Sequence, residues 1–304
     1  QSDEKYISFA INLARKNIGL TSSNPCVGSV LVKNNTIIST GITAAGGTPH
    51  SETIAIKKAG KNTQGATLYV TLEPCSHFGK MPPCTDLIIQ SGISRVVIAT
   101  IDPDLRVNGS GISQLKAAGI EVVVGVLEEK AIESNQGFFN NKSLERPFIT
   151  LKLATSQDGK IATKDTKIKW ISNEKSRQYA HYLRAKNDAI LVGANTIRQD
   201  NPMLDCRLSG LEKYSPKRII LSSILDINLN SQIIQTAQSI PTYIATNNSN
   251  TKKFSDLGIR IINFENLNDL VKKLSQIGIN NLLIEGGSVV ATEFIKADLV
   301  DKLL

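Results

Sequence analysis

From Pro49 onward the chain alternates two kinds of segment, and this alternation constrains its fold more than any other feature. Short aliphatic and β-branched runs, "ATLYVTL", "RVVIAT", "IEVVVG", "DAILVG", "KRIIL", "PTYIAT" and "NLLIEGG", mostly stand between stretches with helical spacing. Runs so short and so continuously apolar suit strands buried on both faces, and their alternation with helices asks for a largely parallel sheet covered on each side. The spacing predicts helices near 50–60, from Cys84 to about Gln90, and over 111–118, 173–186, 266–277 and 288–296, with a further strand in "RPFITLKLATS". Ahead of these, Ile7, Ala10, Ile11 and Ala14 share one face of a helix over 3–18 that Gly19 ends, and "VGSVLVKNNTIISTG" forms a hairpin around Asn34 and Asn35.

A chain of 304 residues is long enough for two ordinary cores. The polar stretch "NNKSLERP", residues 140 to 147, is the natural break between two different α/β domains, 1–145 and 146–304. Hydrophobic residues at 41% and charged residues at 20% exclude a disordered or fibrous chain. No apolar run approaches the ~18 residues that span a bilayer, and "QSDEKYISFAINLARK", acidic and then amphipathic, is not a signal peptide. A soluble cytoplasmic protein without membrane partners is expected. The net charge of +8 favours anionic partners. With aromatics at 5% and lysine pairs as the longest basic runs, phosphorylated small molecules are expected rather than nucleic acid. The missing initiator Met and the stop inside the apolar "ADLVDKLL" lead us to expect trimmed ends and an incomplete C-terminus.

Four cysteines, Cys26, Cys75, Cys84 and Cys206, are too few for a disulfide framework in so long a chain, which leaves metal binding or packing. In "TPHSETIAI", Pro49 suits a helix edge and puts His50 and Glu52 in the first turn. Residues two apart point about 200° from one another on a helix, so His50 and Glu52 cannot grip one metal side by side. The helix must meet the site end-on, with His50 as ligand and Glu52 reaching past it to a water. Strand "ATLYVTL" delivers Glu73, Pro74 and Cys75 at its C-terminal end, where open α/β sheets place their sites. Cys84 follows two prolines and opens a helix whose amide dipoles favour a thiolate.

Three protein ligands with an open position are the catalytic form of a zinc site, and His77 or Cys26 are the only candidates for a fourth. H-x-E alone is common, and two nearby cysteines are usually small buried hydrophobes. All three pieces in order, each at a helix start or strand end, form the signature of the zinc nucleobase deaminases. Short deaminase motifs have two residues between the cysteines; here there are eight, "SHFGKMPP".

The succession "NPCVGSVLV", "PHSE", "TLEPCSHFGKMPPC", "GISRVVIATIDPD" and "VNGSGI" resembles the N-terminal half of the RibD family, the bifunctional riboflavin-biosynthesis deaminase/reductases. "RPFITLKLATSQDGKIA", "KWIS", "LRAKNDAILVGANTIRQDNPML" and "LLIEGG" are similar to the family's second half. The resemblance implies a cytidine-deaminase-like three-layer domain followed by a dihydrofolate-reductase-like α/β domain. It implies zinc on His50, Cys75 and Cys84, with Glu52 as the catalytic proton shuttle. The implied substrate is a diaminopyrimidinone carrying a phosphoribosylamino group, with Asn24 on the base and His77 and Lys80 on the phosphate.

For the second half the resemblance implies NADPH lined by Ala154, Trp170, Thr196, Asp200, Ser223, Gly286 and Gly287. Substrate contacts would come from Lys152, Arg184, Leu204, Arg207 and Glu285, the two arginines pairing the phosphate. The implied sequence of reactions is hydrolytic deamination, then reduction of the ribosyl group to ribityl, in a dimer or tetramer. Taken alone, this half is less sharp. "NLLIEGGSVVATEF" is a strand, two glycines and a helix, whose free N–H groups suit a phosphate, but G-x-G-x-x-G is missing and a Rossmann domain is not supported.

The chain departs from the family pattern at Thr43, Ser51, Met81, Leu105, Ile168 and Ser222, none of them a metal ligand. A nucleoside or RNA deaminase with a non-catalytic second domain is the alternative enzyme, and a nucleotide-binding protein the non-enzymatic one.

Overall fold

A computed structural model describes residues 2–79, 81–156 and 172–304. The chain divides into two compact units, Gln1–Leu144 and Glu145–Leu304.

The first unit is a sheet between two helical layers. It runs α1 (Ser2–Ala14), β1 (Gly28–Lys33), β2 (Thr36–Ile42), α2 (Ser51–Ala59), β3 (Thr67–Val70), α3 (Cys84–Gln90), β4 (Arg95–Ile98), α4 (Ser110–Ala117), β5 (Glu121–Val124), α5 (Glu128–Ser134) and α6 (Gln136–Leu144). The sheet order is β2-β1-β3-β4-β5, antiparallel through the hairpin and at β1/β3, parallel from β3 to β5. Period-two alternation sorts the side chains. Leu31, Leu68, Val70, Val96 and Ile98 face Ala55 and Ile56 of α2, Ile88 of α3 and Leu115 of α4. On the other face Val30, Val32, Tyr69 and Val97 meet Tyr6, Ile7, Ala10 and Ile11 of α1 and Ala131 of α5.

Two residues with positive φ, Asn34 (49°) and Asn35 (58°), close the hairpin in the twist that a two-residue connection favours. The Tyr6 hydroxyl donates to Asn35 O and Oδ1 and ties that turn to α1. Glycines set both helix–sheet approaches. A Cβ on Gly28 would lie 2.0 Å from Ala10 O of α1, and one on Gly41 would lie 1.9 Å from Ser51 O of α2.

The second unit follows the same three-layer logic. Its elements are β6 (Phe148–Lys152), α7 (Glu174–Ala185), β7 (Ala189–Gly193), α8 (Ala194–Asp200), β8 (Lys217–Leu221), α9 (Gln232–Gln235), β9 (Thr242–Thr246), α10 (Lys252–Ser255), β10 (Arg260–Asn263), α11 (Leu267–Gln276), β11 (Asn281–Glu285), α12 (Ser288–Lys296) and β12 (Lys302–Leu303). The seven strands among the described residues are all parallel, in the order β10-β9-β8-β7-β11-β6-β12. Leu151, Leu191, Ile219 and Ile284 pack under α11 and α12, and Ile190, Val192, Ile220 and Leu283 pack under α7 to α9.

Three local expectations change. The stretch 140–147, read as a polar connection, is helical up to Leu144 as the end of α6, and α5 precedes it. The run "ATLYVTL" is strand only over Thr67–Val70. Arg260–Asn263 adds a strand, β10, at the sheet edge. No helix among the described residues is long and apolar enough to cross a membrane.

Candidate active site

Each candidate ligand of the first unit lies at the end of an element. His50 is the N-cap of α2, in extended backbone, so its ring projects from the helix end and not from a helix face. Cys75 lies beyond the C-terminal end of β3, and Cys84 is the first residue of α3 after Pro83. His50 Nδ1 lies 3.6 Å from Cys75 Sγ and 3.4 Å from Cys84 Sγ, and the three ligand atoms fall within 4.8 Å of one another. One nitrogen and two sulfurs converging this closely are a donor set that suits zinc.

The local electrostatics suit a cation as well. The Cys84 thiol beside it holds Cys75 down to about 4, well below an ordinary thiol, and His50 and the Cys84 N–H add to this. Cys84 is pushed up by its hydrogen bond to Cys75 and by burial. His50 is raised, chiefly by its contact with Cys75. Glu52 is 3% exposed, and burial pushes its carboxyl above the usual range although His50 pulls it back. Cys26, the other cysteine of this unit, donates its thiol to Ala14 O at 2.8 Å and serves packing.

Glu73 has a role that the sequence reading missed. Its buried carboxylate accepts from the N–H groups of Asp102 (3.3 Å), Gly109 (2.9 Å), Gly111 (2.9 Å) and Ile112 (3.2 Å), so it caps α4 from a different element. That bond anchors the chain two residues before Cys75. A Cβ on Gly111 would lie 2.2 Å from Pro74 O, so only glycine admits the approach. Ser29 and Ser51 are a second omission: Ser51 Oγ donates to Glu52 Oε2 at 2.8 Å and lies 2.6 Å from Ser29 Oγ.

Asn24 donates its side-chain amide to Gly47 O at 3.0 Å. His77 Nδ1 is buried with no hydrogen-bond partner among the described residues. Lys80 and Trp170 lie outside the described residues.

In the second unit Lys152, Ala154, Glu285 and Gly286 lie at or just beyond the C-terminal ends of β6 and β11, whereas Arg184 is on α7, Asp200 ends α8, and Leu204 and Arg207 lie in the segment after it. Glu285 ends β11 in register with Lys152 at the end of β6, and Ala154 follows two residues later. Gly286 has a φ of 115°, and a Cβ there would lie 2.9 Å from Thr196 Oγ1 of α8, so this glycine turn and α8 meet; a Cβ on Gly287 would meet nothing within 4 Å. The open turn at the N-terminus of α12 leaves room and N–H donors for a phosphate. Arg184 pairs with Glu285 through two 2.9 Å bonds. Arg184 Nη1 also donates to Asp205 O (3.1 Å), which lies 3.1 Å from His181 Nδ1. His181 Nε2 lies 3.4 Å from the Arg207 guanidinium. Burial, Arg184 and Arg207 push His181 down, toward the neutral ring. Leu204 is buried with a φ of 54°. Asp200 and Ser223 are exposed, and Ser223 O accepts from Asn248 at 3.4 Å.

The class of the protein follows from this geometry: a metal-dependent deaminase unit of three layers is joined to a second α/β enzyme unit built on a parallel sheet. Residues 1–100 match the cytidine and deoxycytidylate deaminase zinc-binding region, and residues 147–304 match the RibD C-terminal domain. The riboflavin biosynthesis protein RibD of Aquifex aeolicus is 44% identical over 306 residues, which cover 99% of this chain and 85% of that protein. Two solved structures are similar over the same shares of each chain. Acinetobacter baumannii RibD gives a TM-score of 0.92 at 34% identity. The diaminohydroxyphosphoribosylaminopyrimidine deaminase/5-amino-6-(5-phosphoribosylamino)uracil reductase of Thermotoga maritima gives 0.89 at 37%. The chain belongs to the RibD family and is a bifunctional deaminase/reductase of riboflavin biosynthesis.

Proposed function

We propose that the first unit removes an amino group from a 2,5-diamino-6-(phosphoribosylamino)pyrimidinone by hydrolysis and that the second reduces the ribosyl group of the product to ribityl. The observation that carries this is the convergence of His50, Cys75 and Cys84 within 4.8 Å beside a buried Glu52. Zinc held by His50, Cys75 and Cys84 would supply an acidified water near neutral pH, and NADPH held at the open glycine turn would supply the hydride for the second reaction.

The protein's own groups do the rest. Glu52 has Oε2 held by Ser51, which leaves Oε1 to take the water's proton and pass it to the departing ammonia. Asn24 orients the base, and the unpartnered His77 Nδ1, with Lys80, takes the phosphate. In the second unit Gly286 and Gly287 would hold the cofactor's phosphates, and Thr196, Ala154, Trp170, Asp200 and Ser223 are the further residues that would bind it. Arg207, exposed beside His181, takes the substrate phosphate. Glu285, paired with Arg184, and Lys152 contact the ribosyl group, and Leu204 adds an apolar substrate contact.

Four free cysteines support a reducing, cytoplasmic location. The edge strand β2 supports assembly into a homo-oligomer.

The test is a two-stage assay on the zinc-loaded full chain. Ammonia should appear from the phosphoribosyl pyrimidine without NADPH, and NADPH absorbance should fall only once deaminated product is present. Ammonia from cytidine, adenosine or tRNA but not from the phosphoribosyl pyrimidine would overturn the assignment of substrate.

A further inference from the structure

Behind the metal-ligand cluster runs a line of hydrogen bonds that the deaminase motif does not require. Ser29 Oγ, on β1, lies 2.6 Å from Ser51 Oγ, and Ser51 Oγ donates to Glu52 Oε2 at 2.8 Å. The three residues are 0%, 0% and 3% exposed. Each hydroxyl carries one proton. Ser51 gives its proton to the carboxylate, so Ser29 donates to Ser51 and the line runs from the sheet to Glu52. Water does not reach these groups, and a buried polar group without a partner is costly, which fixes both hydroxyls in place. Gly41 holds the first turn of α2 against β2, with Ser51 O 1.9 Å from where a Cβ would be. Ser51 stands where the family resemblance leads one to expect alanine, so the line belongs to this chain and not to the motif.

We propose that Ser51, backed by Ser29, is a positioning residue for deamination, fixing Glu52 Oε2 so that Oε1 alone carries the proton. The proposal rests on Glu52 as the proton carrier. A hydrogen bond to a charged acceptor contributes about 1.5–3 kcal/mol, so losing even the lower part of it during proton transfer slows the step about tenfold.

The experiment compares Ser51→Ala, Ser29→Ala, the double variant and Glu52→Gln in the zinc-loaded full chain. Ser51→Ala should lower kcat for ammonia release about tenfold, with KM, zinc content and turnover of deaminated intermediate by the reductase unit unchanged. Ser29→Ala should lower it less, about threefold, and the double variant should fall no further than Ser51→Ala because the two act in series. Isotope-edited infrared spectroscopy should show the Glu52 carboxylate stretch shifted in Ser51→Ala. An unmoved stretch, a wild-type kcat in Ser51→Ala, or a loss of kcat that tracks lost zinc or a raised KM overturns the proposal. If Ser51→Ala does not fold, a wild-type kcat in Ser29→Ala overturns it. A wild-type rate in Glu52→Gln removes the proton-carrier reading itself, and the relay with it.

Discussion

Arg184 and Glu285 form a two-point ion pair, Nε to Oε1 and Nη2 to Oε2, each at 2.9 Å, with side chains only 14% and 11% exposed. Both residues carry expected substrate contacts, and the structure satisfies each with the other. Removing one partner strands a desolvated charge, so Arg184→Met or Glu285→Gln should each lower stability by about 3 kcal/mol. The double variant, which leaves no charge behind, should recover more than half of that. Denaturant unfolding of the four chains checks this, and single variants as stable as wild type would contradict it. Reductase turnover should be lost in both single variants while ammonia release continues.

Gly41 is the point where β2 and α2 touch, with no room for a methyl group beside Ser51 O. Gly41→Ala should cost about 3 kcal/mol by overpacking. It should also weaken zinc binding, because the displaced helix carries His50 at its N-cap. Thermal melting and a chelator competition report the two effects. A variant that melts with wild type and holds zinc equally well would show that the contact is not tight.

Asp188 Oδ2 accepts from the N–H groups of Asn280 (3.0 Å) and Asn281 (2.8 Å), and burial pushes its carboxyl from 3.8 up to about 6. The unfolded chain therefore gives up this proton near pH 4, while the folded chain keeps it to about pH 6. Its contribution to stability is complete below pH 4 and is lost as pH rises through 6. Asp188→Asn accepts the same N–H bonds without a charge to bury. Between pH 4 and pH 7 wild type should lose up to about 3 kcal/mol of unfolding free energy relative to Asp188→Asn. A difference that stays flat across that range in urea titrations would refute the shift.

What the sequence made legible was what local pattern controls. Leu68 and Val70 against Tyr69, or Ile190 and Val192 against Leu191, are buried on both faces, so their strands read as continuous apolar runs. His50, Cys75 and Cys84 were legible because a proline or a strand end marks each one's place. Helices α5 and α6 escaped because "EEKAIES" and "QGFFNNKSL" bury only two residues each, too few for a visible stripe. β10 escaped because "RIIN" buries only Ile262. The remaining omissions depend on residues distant in sequence. Glu73 caps a helix 36 to 39 positions onward, Ser29 reaches Ser51 across 22, and Arg184 meets Glu285 across 101. Nothing in the local spacing of those residues encodes the partner.

Ammonia release by the zinc-loaded Glu52→Gln chain tests the role of the site most directly. The carboxamide keeps the size of Glu52 and can still meet Ser51, but it cannot take a proton. With zinc content equal to wild type, release from the phosphoribosyl pyrimidine should fall by roughly 10²–10⁴, while the reductase unit should still turn over deaminated intermediate. Release at the wild-type rate would contradict the assignment of Glu52, and with it the deamination mechanism built on His50, Cys75 and Cys84.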